Sequence, residues 1–222
     1  MKILKEPSYD ILFCSPESDY YRIADAARTC YKSKGSGRDD DLRLISNCFN
    51  RNHHSVLEHS SVTVKFICDR GVANELVRHR LASFSQESTR YCNYSLEKFG
   101  REITVVKPVR IPDESMEYYI WEKQCLDAES SYFKLLDLEV KPETARSVLP
   151  TCLKTEIVVT ANLREWYHIL DLRTDRAAHP DIRYMMHGLL IDLSMKYPEL
   201  FKSMLRERNP QFINDFVNKK GE

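Results

Sequence analysis

Glycine is scarce in this chain: only six glycines occur among its 222 residues. Folds that hold phosphates on backbone N–H groups place a glycine-rich loop between a strand and a helix. The one Gly-x-Gly here, Gly35-Ser36-Gly37, lacks the third glycine of a dinucleotide fingerprint, and no Walker pattern occurs. The sequence therefore argues against these two phosphate-binding loops, and any phosphate bound by this chain must be held by side chains.

The charges of the chain balance, with 33 Lys and Arg against 33 Asp and Glu. Sequence-blind binding to nucleic acid or to a membrane surface depends on an excess of basic residues, so neither partner is expected. Hydrophobic residues make up 42% of the chain, but no apolar run approaches the length of a membrane span. These properties are typical of an ordinary soluble protein.

The cysteines number seven and are scattered, at positions 14, 30, 48, 68, 92, 125 and 152, without a Cys-x-x-Cys pair. This spacing favours reduced thiols over a disulfide framework or a zinc site. Lysines interrupt the first five residues, which disfavours a signal peptide. We therefore expect a cytoplasmic protein.

Hydrophobic periodicity predicts several helices and few strands. Helical patterns cover 38–51, about 71–82, 113–138 and the stretch that follows Pro180. Strand patterns cover 60–68, 102–107 and 155–160, whereas 83–95 is polar and irregular. Because βαβ alternation is missing, we predict an α+β fold in which a small mixed β-sheet is flanked by long helices. We expect residues 1–222 to form one compact domain, with a helical segment at about 113–138.

The densest polar cluster, residues 78–91, contains three arginines, a histidine and several hydroxyls but no lysine. Arginine presents a planar fork that matches phosphate and carboxylate oxygens. On a regular helix Arg78 and Arg80 would point about 160° apart, so one helix face could not bring both to a small ligand. Either the helix ends there, or the two arginines serve different ligands or different subunits. The alternative is a solvated, charged helix face.

Two further clusters are polar. Residues 52–59 hold three histidines and a glutamate, but they lack the HExxH spacing and a fourth ligand, so we predict no metal. A turn with a ligand contact at His53 or Ser55 is favoured there. Farther along, Arg164, His168 and Arg173 are spaced to lie along one side of a helix and its end. Asn162 is the predicted cap of that helix.

Together and in order, these segments resemble the flavin-dependent thymidylate synthases. The family signature is Arg-His-Arg, seven residues and Ser, and here it is Arg78-His79-Arg80 followed by Ser88. The resemblance extends over most of the chain and includes Ala27-Arg28-Thr29-Cys30-Tyr31, His53-x-Ser55-x-x-Glu58-His59, Ala145-Arg146-x-x-Leu149-Pro150, Thr160-x-Asn162-x-Arg164 and Leu172-Arg173.

This resemblance implies a reaction, its cofactors and an assembly. The expected enzyme is a methyltransferase that converts dUMP to dTMP, with methylenetetrahydrofolate as one-carbon donor and NADPH as reductant through bound FAD. The family's members are homotetramers whose FAD and dUMP sites lie between subunits, so the same assembly is expected here.

The resemblance also implies site residues. Those expected near FAD are Ser55, Arg78, His79, Arg80, Gln86, Asn162, Arg164 and His168. Those expected near dUMP are Glu75, Arg78, Gln86, Glu87, Ser88, Thr89, Arg90, Arg146 and Arg173. Arg173 is the expected catalytic residue, because a guanidinium at the pyrimidine edge stabilises an N3 anion. His53 is expected to position the folate or the flavin.

Two alternatives stay open. One is a flavin-dependent enzyme that modifies another pyrimidine nucleotide. The other is a non-catalytic nucleotide-binding relative, which would be colourless because it would need no flavin. RNA binding is disfavoured by the zero net charge and by the lack of a basic motif interleaved with aromatic residues.

Overall fold

The strands form a four-stranded β-sheet with the strand order β2-β3-β6-β4 and a two-stranded sheet of β1 and β5. The computed structural model describes residues 1–90, 94 and 100–208. The strands are β1 (Lys2–Leu4), β2 (Ser8–Phe13), β3 (Ser61–Asp69), β4 (Ala82–Gln86), β5 (Thr104–Val106) and β6 (Lys154–Asn162). The helices are α1 (Pro16–Thr29), α2 (Arg38–Asn50), α3 (Arg70–Leu76), α4 (Met116–Asp137), α5 (Pro142–Ala145), α6 (Leu163–Arg173), α7 (Pro180–Lys196) and α8 (Pro198–Glu207). The α+β class is confirmed.

The chain divides into two compact units. Unit 1 comprises Met1–Ser8, Lys65–Arg78 and Phe84–Val158, and unit 2 comprises Tyr9–Val64, His79–Ser83 and Val159–Glu222. Each unit is built from three separate segments of the chain, and strands β3 and β6 each contribute residues to both units. No helix in the described part of the chain is long and apolar enough to span a membrane.

In unit 1, β1 and β5 pair in parallel, with Lys2 opposite Thr104. Helix α4 begins where the Ser115 hydroxyl accepts a 3.1 Å hydrogen bond from the Tyr118 N–H. It buries Tyr132 in a core whose other buried members are Tyr94, Ile103, Val105, Cys125, Ala145 and Leu153. The predicted strand at 102–107 and helix at 113–138 are both confirmed, with slightly shorter bounds.

In unit 2, helices α1, α2, α6, α7 and α8 supply most of the secondary structure. Along α7 the inner residues Ile182, Met185, Leu189 and Leu193 are buried, as their spacing predicts. Asn162 caps α6, because its side-chain oxygen accepts a 2.8 Å hydrogen bond from the Glu165 N–H. This cap, the long α7 and helix α2 confirm the sequence prediction, whereas α1 and α8 were not predicted.

The single Gly-x-Gly of the chain serves the packing of unit 2. The buried Arg28 guanidinium donates to Asp41 at 2.5 Å and to Asp40 at 2.6 Å. A Cβ atom on Gly35 would lie 2.7 Å from that guanidinium, which would then have to shift from its position beside the two aspartates. Gly37 has φ of +130° at the start of α2, a conformation that glycine adopts without strain. The motif is therefore structural.

The structure corrects two predicted elements. Helix α3 ends at Leu76 rather than near 82, and 82–86 is strand β4 rather than irregular chain. Next to β6, the backbone of β4 finds hydrogen-bond partners in the sheet, which the polar sequence of this stretch does not reveal. Residues 91–93 and 95 of the predicted irregular stretch, including Cys92, lie outside the described residues.

Candidate active site

The sequence cluster 78–80 is divided between the two units. Arg78 belongs to unit 1, and His79 and Arg80 belong to unit 2. Because α3 ends before the triplet, Arg78 and Arg80 are exposed while His79 is only 5% exposed. Of the alternatives left open by the sequence, the one in which the helix ends at this point is confirmed.

In unit 2, His79 accepts a hydrogen bond from Arg173, the last residue of α6. The Arg173 Nε lies 3.0 Å from His79 Nε2. A guanidinium N–H is always a donor, so Nε2 must offer its lone pair and the ring proton must be on Nδ1. This contact therefore specifies a neutral imidazole and one of its two tautomers.

The surroundings of His79 also favour its neutral form. Burial, followed by the positive charges of Arg173 and His168, lowers the pKa of His79 to about 4. The ring is uncharged at pH 7, and it remains an acceptor for Arg173 throughout the neutral range.

Glu165 lies on the other side of the same imidazole. Its Oε1 is 3.7 Å from His79 Nδ1, and its side chain is buried. Since His79 is neutral, this approach is not an ion pair. Burial raises the pKa of Glu165, and the positive charges of His168 and Arg164 oppose that rise. Glu165 therefore brings a second ionisable group to the ring.

His79, Glu165 and His168 form the group of potential metal ligands found among the described residues, with ligand atoms within 4.8 Å of one another. Two of the three are buried, and the His168 ring lies edge-on to His79 at 5.9 Å. However, the Arg173 guanidinium is bonded to one nitrogen of His79, and its positive charge would repel a cation held there. The absence of a bound metal therefore remains a prediction for this group of residues.

The other predicted site residues of unit 2 are either exposed or hydrogen-bonded to the backbone of a nearby helix. Arg164 is exposed and bonded to Glu58 at 2.5 Å. Asn162 has its side-chain oxygen committed to the cap of α6. His53 and Ser55 are exposed, and Ser55 lies in a short 3-10 helix, His54–His59, within the predicted connection from helix α2 to strand β3.

Unit 1 brings together four residues of the predicted nucleotide set. Arg146, which follows α5, donates to the buried Thr89 hydroxyl at 3.1 Å. The Arg90 N–H donates to the Ser88 hydroxyl at 3.3 Å, and the Arg90 side chain lies 3.6 Å from Glu143. Two arginines and two hydroxyls thus belong to neighbouring contacts of unit 1, and guanidinium and hydroxyl groups are donors suited to a phosphate.

Glu87 and Gln86 are committed to contacts inside unit 1. The Glu87 carboxylate accepts from Lys154 at 3.1 Å and from Tyr94 at 3.2 Å. Gln86 donates to the Thr155 hydroxyl at 3.3 Å. The Lys154 ammonium offsets the negative charge of Glu87, which would otherwise oppose an anion beside Ser88. Farther upstream, Glu75 accepts the Arg78 N–H at its backbone carbonyl.

The sequence did not identify Glu165, Lys154 or Glu143 as members of these clusters. The prediction at the start of α6 concerned the cap residue Asn162, and it did not extend to the carboxylate of Glu165, three residues on. Lys154 lies on the less buried face of β6, where alternation could have identified it as a polar position. No local pattern marks Glu143 as the neighbour of Arg90.

Comparison with known proteins gives concordant results. Residues 14–199 match the family described as thymidylate synthase complementing protein. The chain is 33% identical over 191 residues to the flavin-dependent thymidylate synthase of Geobacter sulfurreducens, covering 81% of this chain and 79% of that protein. It is 35% identical over 192 residues to the flavin-dependent thymidylate synthase of Sulfolobus acidocaldarius, covering 81% and 71%.

The fold has a counterpart among solved structures. The crystal structure of a UMP/dUMP methylase, PolB from Streptomyces cacaoi, bound with 5-Br dUMP, superposes with a TM-score of 0.74. The sequence identity is 22%, and the match covers 91% of this chain and 96% of that chain. This likeness concerns the fold.

Proposed function

The chain belongs to the flavin-dependent thymidylate synthase family, and from that membership we propose that it converts dUMP to dTMP by reductive methylation. Methylenetetrahydrofolate is the one-carbon donor, and NADPH supplies the reducing equivalents through bound FAD. The observation that carries the proposal is the neutral His79 that holds Arg173 by its Nε.

Arg173 is the catalytic residue of this proposal. It carries a guanidinium, a cation that can stabilise negative charge developing on the pyrimidine ring. Because Nε is committed to His79, the orientation of the guanidinium is set before the substrate arrives. A donor that is already oriented stabilises the transition state without first having to reorganise.

The donor set of unit 1 suits the phosphate of dUMP. Ser88, Thr89, Arg90 and Arg146 offer hydroxyl and guanidinium groups, and Lys154 balances the nearby Glu87. We assign these residues to the phosphate, since a charge-assisted hydrogen bond to an anion is stronger than a neutral one.

The polar residues of unit 2 fit a flavin dinucleotide. Arg80 and Arg164 are exposed cations suited to a pyrophosphate, and His168 and Ser55 are exposed donors or acceptors. When bound, the flavin supplies the redox chemistry. The residues that would hold it are Arg80, Arg164, His168 and Ser55, with His53 as a positioning residue. His79 contributes its neutral ring, which accepts the hydrogen bond that orients Arg173.

The visible spectrum and a product assay test this function together. Purified protein that has been incubated with FAD and then separated from unbound flavin is expected to stay yellow and to lose its flavin absorbance when NADPH is added without oxygen. Addition of dUMP and methylenetetrahydrofolate should then yield dTMP. Protein that binds no flavin, or that reduces flavin without forming dTMP, would contradict the proposal, and the colourless outcome would favour a non-catalytic relative.

A second candidate is the methylation of UMP, because the fold neighbour PolB is described as a UMP/dUMP methylase. Parallel assays with UMP and dUMP at equal concentration distinguish the two substrates. Preferential methylation of UMP would replace dUMP as the substrate and leave the reaction class unchanged.

A further inference from the structure

Two cysteine thiols meet inside unit 1. Cys125 lies in α4 and Cys152 lies two residues before β6, and their Sγ atoms are 3.4 Å apart. A disulfide bond is about 2.05 Å long, so the two sulfurs need to approach by only about 1.4 Å to form one. The proximity of these thiols has no role in the proposed methylation.

The two thiols have different surroundings. Cys125 is 2% exposed, whereas Cys152 is partly exposed. The hydrogen bond from the Cys125 thiol to Cys152 and a hydrogen bond from Trp121 lower the pKa of Cys152, although burial acts to raise it. The same hydrogen bond and burial raise the pKa of Cys125. Cys152 is therefore the better nucleophile, and it is also the more exposed of the two residues.

Cys68 shows how an inert thiol differs. It lies fully buried in β3, and burial raises its pKa to about 12. A thiol with that pKa is almost entirely protonated at neutral pH, so it attacks disulfides slowly.

We propose that Cys125 and Cys152 form a reversible intramolecular disulfide by exchange with a small-molecule disulfide. The Cys152 thiolate attacks one sulfur of the reagent, which breaks the S–S bond and releases one thiolate. Cys125 then loses its proton to solvent, and its thiolate attacks Cys152 Sγ and releases the second thiolate. The two cysteines are oxidised by two electrons, and the reagent is reduced to two thiols.

This cross-link closes the segment 125–152, which carries Arg146. Next to Cys152, the carbonyls of Thr151 and Leu153 each accept the Arg70 N–H at 3.1 Å, and the Arg70 side chain donates to the Glu87 carbonyl at 3.4 Å. The disulfide would therefore link helix α4 covalently to residues 151–153. Through Arg70, these residues are hydrogen-bonded to Glu87, the neighbour of Ser88. Its formation does not depend on the methylation activity.

Oxidised glutathione is a suitable probe. The full chain is incubated with it at neutral pH, and free thiols are alkylated in denaturant before peptide mapping. We expect a Cys125–Cys152 cross-linked peptide, in which neither cysteine is alkylated, and complete reversal by dithiothreitol. This test uses the wild-type chain, so its outcome does not depend on whether a variant folds.

Substitutions identify the order of the two steps. Cys125→Ser should accumulate glutathione on Cys152, since the resolving thiol is gone. Cys152→Ser should abolish the loss of both thiols, and Cys14→Ser, a matched control, should form the cross-link like the wild type. A wild-type chain in which glutathione stays on Cys152, or in which neither cysteine reacts, would overturn the proposal.

Discussion

Arg173 Nε donates a 3.0 Å hydrogen bond to Nε2 of His79, and this bond requires His79 to be neutral. The two residues are 94 positions apart in the chain. A charged imidazole would place an N–H against the guanidinium N–H and would remove the acceptor. The contact links the protonation of a buried histidine to the orientation of the residue proposed to act on the pyrimidine.

Removing the imidazole should therefore impair turnover more than a conservative replacement does. We expect His79→Ala to lower kcat by about tenfold to a hundredfold, because the Arg173 Nε loses its acceptor. His79→Gln should recover part of this loss, since the Gln side-chain oxygen can accept the same hydrogen bond. Single-turnover formation of dTMP measures both. The exposed His59→Ala is the control, and equal losses in the Ala and Gln variants would contradict the positioning role.

Arg173→Ala should reduce kcat by about 10²–10³-fold or more, as expected when a preorganised donor to the transition state is removed. It should also weaken dUMP binding while flavin stays bound, because we assign Arg173 to the pyrimidine. Steady-state kinetics and the flavin spectrum of the same preparation separate the two effects. Unchanged turnover would exclude Arg173 as the catalytic residue.

Ser88→Ala should weaken dUMP binding by on the order of 1–3 kcal/mol if its hydroxyl meets a desolvated phosphate. Titration calorimetry with dUMP measures the loss. Ser85→Ala is the matched control, because Ser85 is an exposed serine of the neighbouring strand β4. An affinity equal to that of the wild type would remove Ser88 from the site.

The stability of the fold should decrease as the pH falls from 7 to 5. Burial lowers the pKa of both His79 and His187 to about 4, below the value of about 6.5 in an unfolded chain. In this window the unfolded chain binds more protons than the folded one, so the free energy of unfolding falls with the pH. The expected loss is about 2 kcal/mol or less for each histidine.

Urea unfolding at pH 7 and pH 5 tests this dependence. His79→Gln should reduce the difference between the two free energies of unfolding, because one of the two titrating groups is gone. The exposed His59→Ala should leave the difference unchanged. A free energy of unfolding that is the same at both pH values in the wild type would show that neither histidine is depressed in pKa.

Local patterns were sufficient to predict a large part of the fold. Alternation along 60–68 predicted β3, and the buried spacings after Pro180 predicted α7, because a side chain's burial repeats with the period of its own element. The family resemblance came from the spacing of Arg78, His79, Arg80 and Ser88 together with the flanking segments, since each of these motifs is short and can be read along the chain.

Tertiary structure alone decided which of these residues meet. Arg173 reaches His79 across 94 positions, Arg146 reaches Thr89 across 57, and α3 stops at Leu76 where β4 joins the sheet. Hydrogen bonds between distant segments depend on how the elements pack, and no short-range periodicity carries that information. The neutral state of His79 follows from the same cause, because burial and the approach of a guanidinium exist only in the folded chain.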